Sequence, residues 1–217
     1  MKHVSEDEAL VLLDKLDAVW QGHFIGVGLK HLSGYVQKDV PTTYPRELRR
    51  FAEGIAWLVQ DLPVDVIASP ELGAILLGGF VAEELGARFV VIQKKSDEAM
   101  EIGRLTFKQT VEGKRVGIVE DIIVHGHTSR RSVKAVKEAG GEVVFLSGLF
   151  NRSLETPASL GIRHFRPLIS MQLQDWRNKE TCRLCAERQP IVIDVGHAQE
   201  FRAQNPDFDI GYVKLRN

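Results

Sequence analysis

One segment of this 217-residue chain combines an apolar run, two adjacent carboxylates and a short glycine-containing loop. Val116–Val119 is the apolar run, Glu120 and Asp121 are the carboxylates, and Val124–Ser129 leads into a predicted helix. Free backbone N–H groups at a helix start bind anions such as phosphate, and paired carboxylates can accept hydrogen bonds from sugar hydroxyls. The segment therefore predicts a sugar-phosphate site. The alternative, a solvated strand end and a plain turn, leaves two acids in an apolar run without a partner.

The same segment resembles the phosphoribosyl pyrophosphate (PRPP) motif of the type I phosphoribosyltransferases, in which a strand, two acids and two apolar residues precede a Thr- and Gly-rich loop. The resemblance covers nearly the whole chain and is greatest to the orotate-using members. Ser69–Gly73 resembles their pyrophosphate loop, Asn151-Arg152 stands where they have Asp-Arg, and Cys182–Cys185 resembles their Cys-Pro-Leu-Cys. The matching residues of the amino-terminal part are His23, Phe24, Lys30, His31, Tyr35, Lys38, Asp39, Tyr44 and Pro45.

The resemblance implies an α/β fold, a doubly wound and mostly parallel sheet with a small hood formed by the two ends of the chain. It implies transfer of the phosphoribosyl group from PRPP to a base, orotate first among the candidates, giving orotidine monophosphate and pyrophosphate in pyrimidine nucleotide synthesis. It also implies Mg²⁺ carried by PRPP and a homodimer. The alternatives are a phosphoribosyltransferase for another base and a non-catalytic sensor of PRPP or nucleotides.

Each site residue takes its expected role from the resemblance. Glu120 and Asp121 would hold the ribose hydroxyls and oppose positive charge on the ribose in the transition state. Lys95 would act with them as a catalytic group. The residues expected to bind substrate are Ser69, Glu71, Leu72, Gly73, Lys94, Arg104, Val124, His125, Gly126, His127, Thr128, Ser129, Arg152, Lys30 and Tyr35.

Two regions depart from the family pattern. In the phosphate loop, Val124 and His125 stand in place of two threonines, and His127 stands in place of a glycine. In the hood, Gly28-Leu29 and Leu32 stand in place of residues that include serines. A site that loses hydrogen-bonding groups loses affinity for a polar ligand. These departures therefore predict weak binding of orotate.

The segment from Gln93 to Arg104 is expected to be a mobile loop that closes over the site. Its basic residues, Lys94, Lys95 and Arg104, lie at its edges, and its acids lie at its centre. The bases could reach a pyrophosphate, in the same or in a neighbouring subunit. The alternative is that they are solvated loop charges.

Cys182 and Cys185 are spaced as half of a zinc site. Four ligands are needed, and His197, His164 or a second subunit are the candidates for the missing ones. A redox pair is the less favoured alternative, because no helix clearly follows the pair. The sequence therefore leaves zinc as a weak candidate.

Strands and helices alternate through the middle of the chain, which is typical of a parallel sheet covered on both faces. Helices are predicted at Glu6–Trp20, Pro45–Val59, Leu72–Leu85 and Thr128–Ala139. One or two antiparallel strands are predicted within His23–Lys38, and further strands at Val64–Ala68, Arg88–Gln93, Arg115–Val119, Glu142–Leu149 and Ile191–Ile193.

Composition excludes several classes of protein. With 28 basic and 29 acidic residues, the chain has no charge excess of the kind that binds nucleic acid or a membrane surface. No apolar run approaches the roughly 20 residues that span a bilayer. We expect a cytoplasmic protein with one phosphoribosyltransferase domain over residues 1–217: an N-terminal helix and hood at 1–44, a PRPP-binding core at 64–152 and a C-terminal extension at 153–217.

Overall fold

The computed structural model describes residues 3–215. The α-helices are α1 (Glu6–Lys15), α2 (Pro45–Val59), α3 (Ile75–Leu85), α4 (Leu105–Val111), α5 (His127–Glu138), α6 (Pro157–Leu160), α7 (Arg183–Ala186) and α8 (Ala198–Gln204). The strands are β1 (Val19–Ile25), β2 (His31–Val36), β3 (Val66–Pro70), β4 (Arg88–Ser96), β5 (Ala99–Glu101), β6 (Arg115–Ile123), β7 (Glu142–Asn151), β8 (His164–Phe165), β9 (Ile169–Ser170), β10 (Asp175–Trp176), β11 (Ile191–Val192) and β12 (Tyr212–Val213). Short 3₁₀ turns lie at Val27–Leu29 and Pro41–Thr43.

The chain divides into two compact units. Unit 1 takes in the chain through Leu16 together with Lys38–Gln172, and unit 2 takes in Asp17–Gln37 together with the chain from Leu173 onward. Helix α1 and residues 153–172 thus belong to unit 1, whereas the sequence placed them with the hood and the extension. The division into hood, core and extension stays a prediction.

Unit 1 contains a sheet with the strand order β5-β4-β3-β6-β7-β8, and β9 also pairs with β7. All of these pairings are parallel except that between β4 and β5. Strands β3, β4 and β5 follow one another toward one edge of the sheet, and β6, β7 and β8 follow one another toward the other edge. The direction in which strands are added therefore reverses between β3 and β6. Ligands of such sheets bind beyond the carboxyl ends of the strands at this reversal. The predicted fold class is confirmed.

The central strands are buried along nearly their whole length, as strands covered on both faces must be. Every residue of β3 is buried. In β7, every residue is buried except Glu142 and Val144. The core beneath the sheet's ligand-binding edge includes Val66, Ala68, Val90, Ile92, Val116, Ile118, Val133, Val136, Val143 and Leu146. The site is therefore built on rigid strands.

Helix bounds agree with the sequence where local signals are strong. Helix α2 has the predicted bounds, and α1 begins with the predicted capping box of Ser5 and Glu8. The prediction that α1 runs to Trp20 is wrong, because the chain turns at Asp17 (φ 52°) and residues from Val19 onward pair in β1. Tertiary pairing thus overrides the helical spacing of the apolar residues.

Strand ends differ more. The two strands β6 and β7 pair through Ile123 and Asn151, beyond the predicted ends at Val119 and Leu149. The segment Gln93–Arg104 is not a plain loop, because β4 continues to Ser96 and pairs antiparallel with β5 as a hairpin. Its mobility stays a prediction.

Unit 2 contains a sheet with the order β10-β2-β1-β11-β12. The predicted antiparallel pair within His23–Lys38 is present as β1 and β2, and β11 joins β1 in parallel at His23 and Ile191. Two small apolar clusters pack on this sheet. One is formed by Ile25, Ile191, Ala198 and Phe201, and the other by Phe24, Leu32 and Val192.

None of the helices within residues 3–215 has the length and apolar character needed to cross a membrane.

Two glycine-to-alanine substitutions test the packing of unit 1. A Cβ on Gly117 of β6 would overlap the buried ring of Phe145, whereas a Cβ on Gly79 of α3 meets nothing within 4 Å. We expect Gly117→Ala to lower the free energy of unfolding by about 1–3 kcal/mol. The matched control Gly79→Ala should raise it by up to about 1 kcal/mol, because alanine is the better helix former. Urea unfolding measures both, and equal effects would contradict this account of the core.

Candidate functional site

The reversal of strand order places the acid pair at the ligand-binding edge of unit 1. Strand β6 pairs with β3 over Val116–Ile118 and with β7 as far as Ile123, so Glu120 and Asp121 still lie within the sheet. Successive residues of a strand face opposite sides. One acid is therefore buried and the other is partly exposed, as the structure shows.

Asp121 lies at the centre of a tight group. Its Oδ2 accepts a hydrogen bond from Lys38 Nζ at 3.1 Å, and its Oδ1 accepts one from the backbone N–H of Ile122 at 2.8 Å. A Cβ on Gly73 would overlap the same carboxylate. The glycine thus lets the Ser69–Gly73 loop approach the acid, which brings two predicted site segments together.

Lys38 is a residue that the sequence analysis named only in the amino-terminal resemblance. Burial acts to lower its pKa, but the carboxylates of Asp121 and Asp39 outweigh burial and hold the pKa above its usual value. Its Nζ lies 3.1 Å from each carboxylate. A lysine next to an aspartate was the available signal, but nothing local linked it to a strand 83 residues away.

Glu120 is 2% exposed, and its Oε1 has no hydrogen-bond partner among the described residues. Burial raises its pKa to about 8, and Asp121 adds to the shift. The neighbouring Ser129 hydroxyl opposes the shift, although its Oγ is itself buried without a well-formed hydrogen bond. Near neutral pH, Glu120 therefore keeps its proton and can both donate and accept.

The loop from Val124 to Ser129 leads into α5 without a side-chain cap. Gly126 occupies the N-cap position with φ 61°, and a Cβ there would meet Glu155 and Arg130, so glycine is required. No acidic residue lies in the first turn. His127 and Thr128 are exposed and Ser129 is buried. The helix start is thus open to an anion.

Arg130 fixes the shape of this loop. Its guanidinium donates to Glu155 Oε1 at 2.7 Å, to the backbone oxygen of His125 at 3.0 Å and to His127 Nδ1 at 3.3 Å. Because a guanidinium only donates, Nδ1 of His127 accepts and the ring's proton lies on Nε2 in this arrangement. The sequence gives no signal for Arg130, because its partner Glu155 lies 25 residues away in the segment between β7 and α6.

The Ser69–Gly73 loop is connected to β4. Glu71 Oε1 accepts a hydrogen bond from the Lys94 backbone N–H at 2.7 Å, and the Glu71 N–H donates to Ile92 at 3.0 Å. The Ser69 side chain is buried, whereas Leu72 is 81% exposed. The loop therefore offers backbone groups and an exposed apolar side chain, while the Glu71 carboxylate is bonded to the backbone of β4.

The basic residues of the β4–β5 hairpin are paired with its own acids. Lys94 Nζ lies 2.7 Å from Asp97, and Lys95 Nζ lies 3.3 Å from Glu101. Arg131 of α5 donates to the Asp97 backbone oxygen at 2.7 Å. Arg104 occupies the N-cap position of α4 without a side-chain capping bond, and its guanidinium lies over the ring of Phe107. The structure thus does not bring Lys95 to Asp121 in this arrangement of the hairpin.

Arg152 follows β7 directly, and its backbone N–H donates to Ile123 at 2.8 Å. This bond holds it beside the end of β6, where the phosphate loop begins. Arg152 therefore lies directly after β7, the strand that follows β6 in the chain and pairs with it.

Lys30 and Tyr35, the two hood residues expected to bind substrate, lie in unit 2. Lys30 pairs with Asp175 at 3.2 Å, and the Tyr35 ring packs against Trp20 and Phe24. Leu32 is buried in the cluster with Phe24. The apolar residues that replace polar ones in this region thus contribute to packing.

The two cysteines lie together with His23 and His31, and all four are buried. The two histidines suggested as further zinc ligands do not belong to this group: His197 Nδ1 is 3.1 Å from Glu200, and His164 belongs to β8. Those two suggestions are wrong. The resemblance had already singled out His23 and His31, but for another reason.

Comparison with known proteins identifies a family. The family model described as "Phosphoribosyl transferase domain" matches residues 42–159. Orotate phosphoribosyltransferase of Caldicellulosiruptor bescii is 31% identical over 189 residues, which cover 87% of this chain and 96% of that protein. Orotate phosphoribosyltransferase of Caldanaerobacter subterraneus is 28% identical over the same shares.

A solved structure shows the same fold. The Mycobacterium tuberculosis orotate phosphoribosyltransferase in complex with Fe(III) dicitrate has a TM-score of 0.60 and 22% identity, over 75% of this chain and 96% of that one.

The burial of Glu120 predicts a pH-dependent stability. Between about pH 4.5, where the unfolded chain loses this proton, and about pH 8, the folded state binds more protons, so stability falls as the pH rises. Glu120→Gln removes this loss. The unfolding free energy of wild type should therefore fall as the pH rises from 5 to 8.5, and that of the variant should not. Over this range we expect the variant to gain roughly 2–4 kcal/mol relative to wild type.

Urea unfolding at both pH values measures this gain. The control Glu142→Gln replaces an exposed glutamate of β7 and should shift stability equally at both. A Glu120→Gln difference that is independent of pH would contradict the assignment.

Proposed function

The chain belongs to the phosphoribosyl transferase domain family, and from that membership we propose that it transfers the phosphoribosyl group of PRPP to orotate, forming orotidine monophosphate and pyrophosphate. The observation that carries the proposal is the continuous path from β6 through Glu120 and Asp121 to the uncapped start of α5. The two curated relatives named above, which match over almost their full length, support orotate as the base.

The start of α5 would bind the 5′-phosphate. Its first backbone N–H groups have no side-chain cap, and the hydroxyl of Thr128 is exposed beside them. Arg130 holds the loop in place through Glu155 and the backbone oxygen of His125. A preformed anion site of this kind needs little reorganisation on binding.

The acid pair would hold the ribose. Burial raises the pKa of Glu120 to about 8, and its Oε1 is buried without a partner, so near neutral pH the carboxyl group can bond to a hydroxyl as donor and as acceptor. Asp121, held by Lys38 at 3.1 Å, supplies the negative charge that opposes the developing positive charge of the ribose. The two acids thus have different roles because one is buried and the other is not.

In the reaction, a nitrogen of the base forms a bond to carbon 1 of the ribose, and the bond from that carbon to pyrophosphate breaks. The electron pair leaves with pyrophosphate, and the proton of the base nitrogen is released. The Ser69–Gly73 loop, with Gly73 next to Asp121, would offer backbone N–H groups to the leaving group. Lys94, Lys95 and Arg104 would reach it only if the hairpin rearranges, because Lys94 and Lys95 are paired with Asp97 and Glu101.

Mg²⁺ would arrive with PRPP and neutralise part of its pyrophosphate charge. The acid pair fits this arrangement better than a resident ion. Both oxygens of Asp121 already accept hydrogen bonds, and Glu120 keeps its proton. Mg²⁺ binding, a homodimer and a cytoplasmic location stay predictions.

Asp121→Asn tests the ribose assignment. Loss of one preorganised charge should lower kcat/KM about 100-fold or more, while thermal unfolding changes little because the substitution is nearly isosteric. The control Asp65→Asn removes a carboxylate that bonds Arg115 at the other end of β6. It should affect stability rather than turnover. Unchanged turnover in a folded Asp121→Asn enzyme would contradict the assignment.

A panel of bases tests the reaction. We expect pyrophosphate release from PRPP and Mg²⁺ with orotate in preference to adenine, hypoxanthine or uracil. Because Leu32 packs in unit 2 and Gly28-Leu29 offers no side-chain hydrogen bond, calorimetry should give an orotate Kd above about 1 µM. Release with another base would identify a different acceptor. If the protein binds PRPP but no base causes pyrophosphate release, the protein is a sensor of PRPP and not an enzyme.

A further inference from the structure

We propose that unit 2 binds a structural zinc ion through His23, His31, Cys182 and Cys185. The four residues come from three elements, because His23 lies on β1, His31 begins β2, and the cysteines lie at the start of α7. One ligand atom from each lies within 4.8 Å of the others. Within residues 3–215, no other group of three or more such side chains is arranged to hold a metal ion.

The distances suit a tetrahedral ion. Cys185 Sγ lies 3.5 Å from His31 Nδ1 and 3.8 Å from His23 Nε2, and Cys182 Sγ lies 3.7 Å from His23 Nε2. Zn–S bonds of about 2.3 Å and Zn–N bonds of about 2.0–2.1 Å place neighbouring S and N ligands roughly 3.6 Å apart. The two imidazole nitrogens, 2.7 Å apart, need to separate by less than about 1 Å to bind the same ion.

A backbone carbonyl orients one of the imidazoles. His23 Nδ1 lies 2.7 Å from the backbone oxygen of Gln189, which can only accept, so Nδ1 carries the proton. Nε2 then presents a lone pair to the cluster. Metal-binding histidines commonly have such a second hydrogen bond.

The charge balance also favours a divalent ion. Two thiolates and two neutral imidazoles around Zn²⁺ have no net charge, and the thiol protons pass to solvent. A neutral centre suits a buried position, where an unpaired charge is costly. Since four protein ligands fill a tetrahedral site and leave no open position, the ion would be structural rather than catalytic.

Unit 2 has a reason to need such an ion. It is made of two segments far apart in the sequence, and its apolar clusters contain only a few buried residues each. Units below roughly 70–80 residues rarely obtain enough stability from one core and are commonly held by metals or disulfides. The ion would connect β1 and β2 to α7, because Cys185 lies 162 residues from His23 and 154 residues from His31 along the chain.

The test uses the full chain, expressed without an affinity tag and purified under reducing conditions. We expect elemental analysis to find about one zinc per chain, and a chelator to lower the melting temperature. After replacement by Co²⁺, we expect tetrahedral ligand-field bands and a thiolate-to-cobalt charge-transfer band. Because the chain has two cysteines, this sulfur signal can come only from the proposed pair.

Variants locate the ligands. Cys182→Ser and His31→Gln should reduce bound zinc to below about a tenth of the wild-type content. The control His197→Gln, whose histidine is exposed and bonded to Glu200, should retain it. If a variant fails to fold, the cobalt spectrum of the wild type is sufficient by itself to test the proposal. Absence of zinc together with no charge-transfer band, a Cys182–Cys185 disulfide in the purified chain, or full zinc content in folded Cys182→Ser would overturn the proposal.

Discussion

The parallel pairing of β6 with β3 and β7 is the constraint on which the candidate site depends. Pairing with β7 continues to Ile123, so it carries the backbone of both acids into the sheet. The alternation of a strand then buries Glu120 and leaves Asp121 partly exposed. One structural element thus gives two neighbouring carboxyl groups different environments, and their chemistry differs accordingly.

The surrounding groups depend on this position. Gly73 has to be a glycine because Asp121 lies against it, and Lys38 has a raised pKa because Asp121 faces it. The phosphate loop follows β6 directly, and Arg130 fixes its shape through Glu155. The site is therefore a set of loops arranged around the end of one buried strand.

Unit 2 follows a different principle. Its sheet is short, its apolar clusters are small, and its most tightly grouped buried polar side chains are two imidazoles and two thiols. In unit 1 apolar burial provides the framework, and polar groups are placed at its edge. In unit 2 a polar cluster is itself buried, and a fold of this size needs an additional constraint.

The sequence by itself determined the features that depend on neighbouring residues. The capping box of Ser5, the bounds of α2 and the run from Val116 to Ser129 were readable because each signal lies within one short segment. The order of acids, glycine and helix start in that run was sufficient to indicate the family.

Tertiary structure decided the features that join distant segments. The contact of Lys38 with Asp121 spans 83 residues, and that of His23 with Cys185 spans 162. The ends of β6 and β7 and the hairpin of β4 and β5 are likewise set by partners on other strands. No local pattern encodes such pairs, because the free energy that favours them comes from burial and hydrogen bonding that exist only once the strands are assembled.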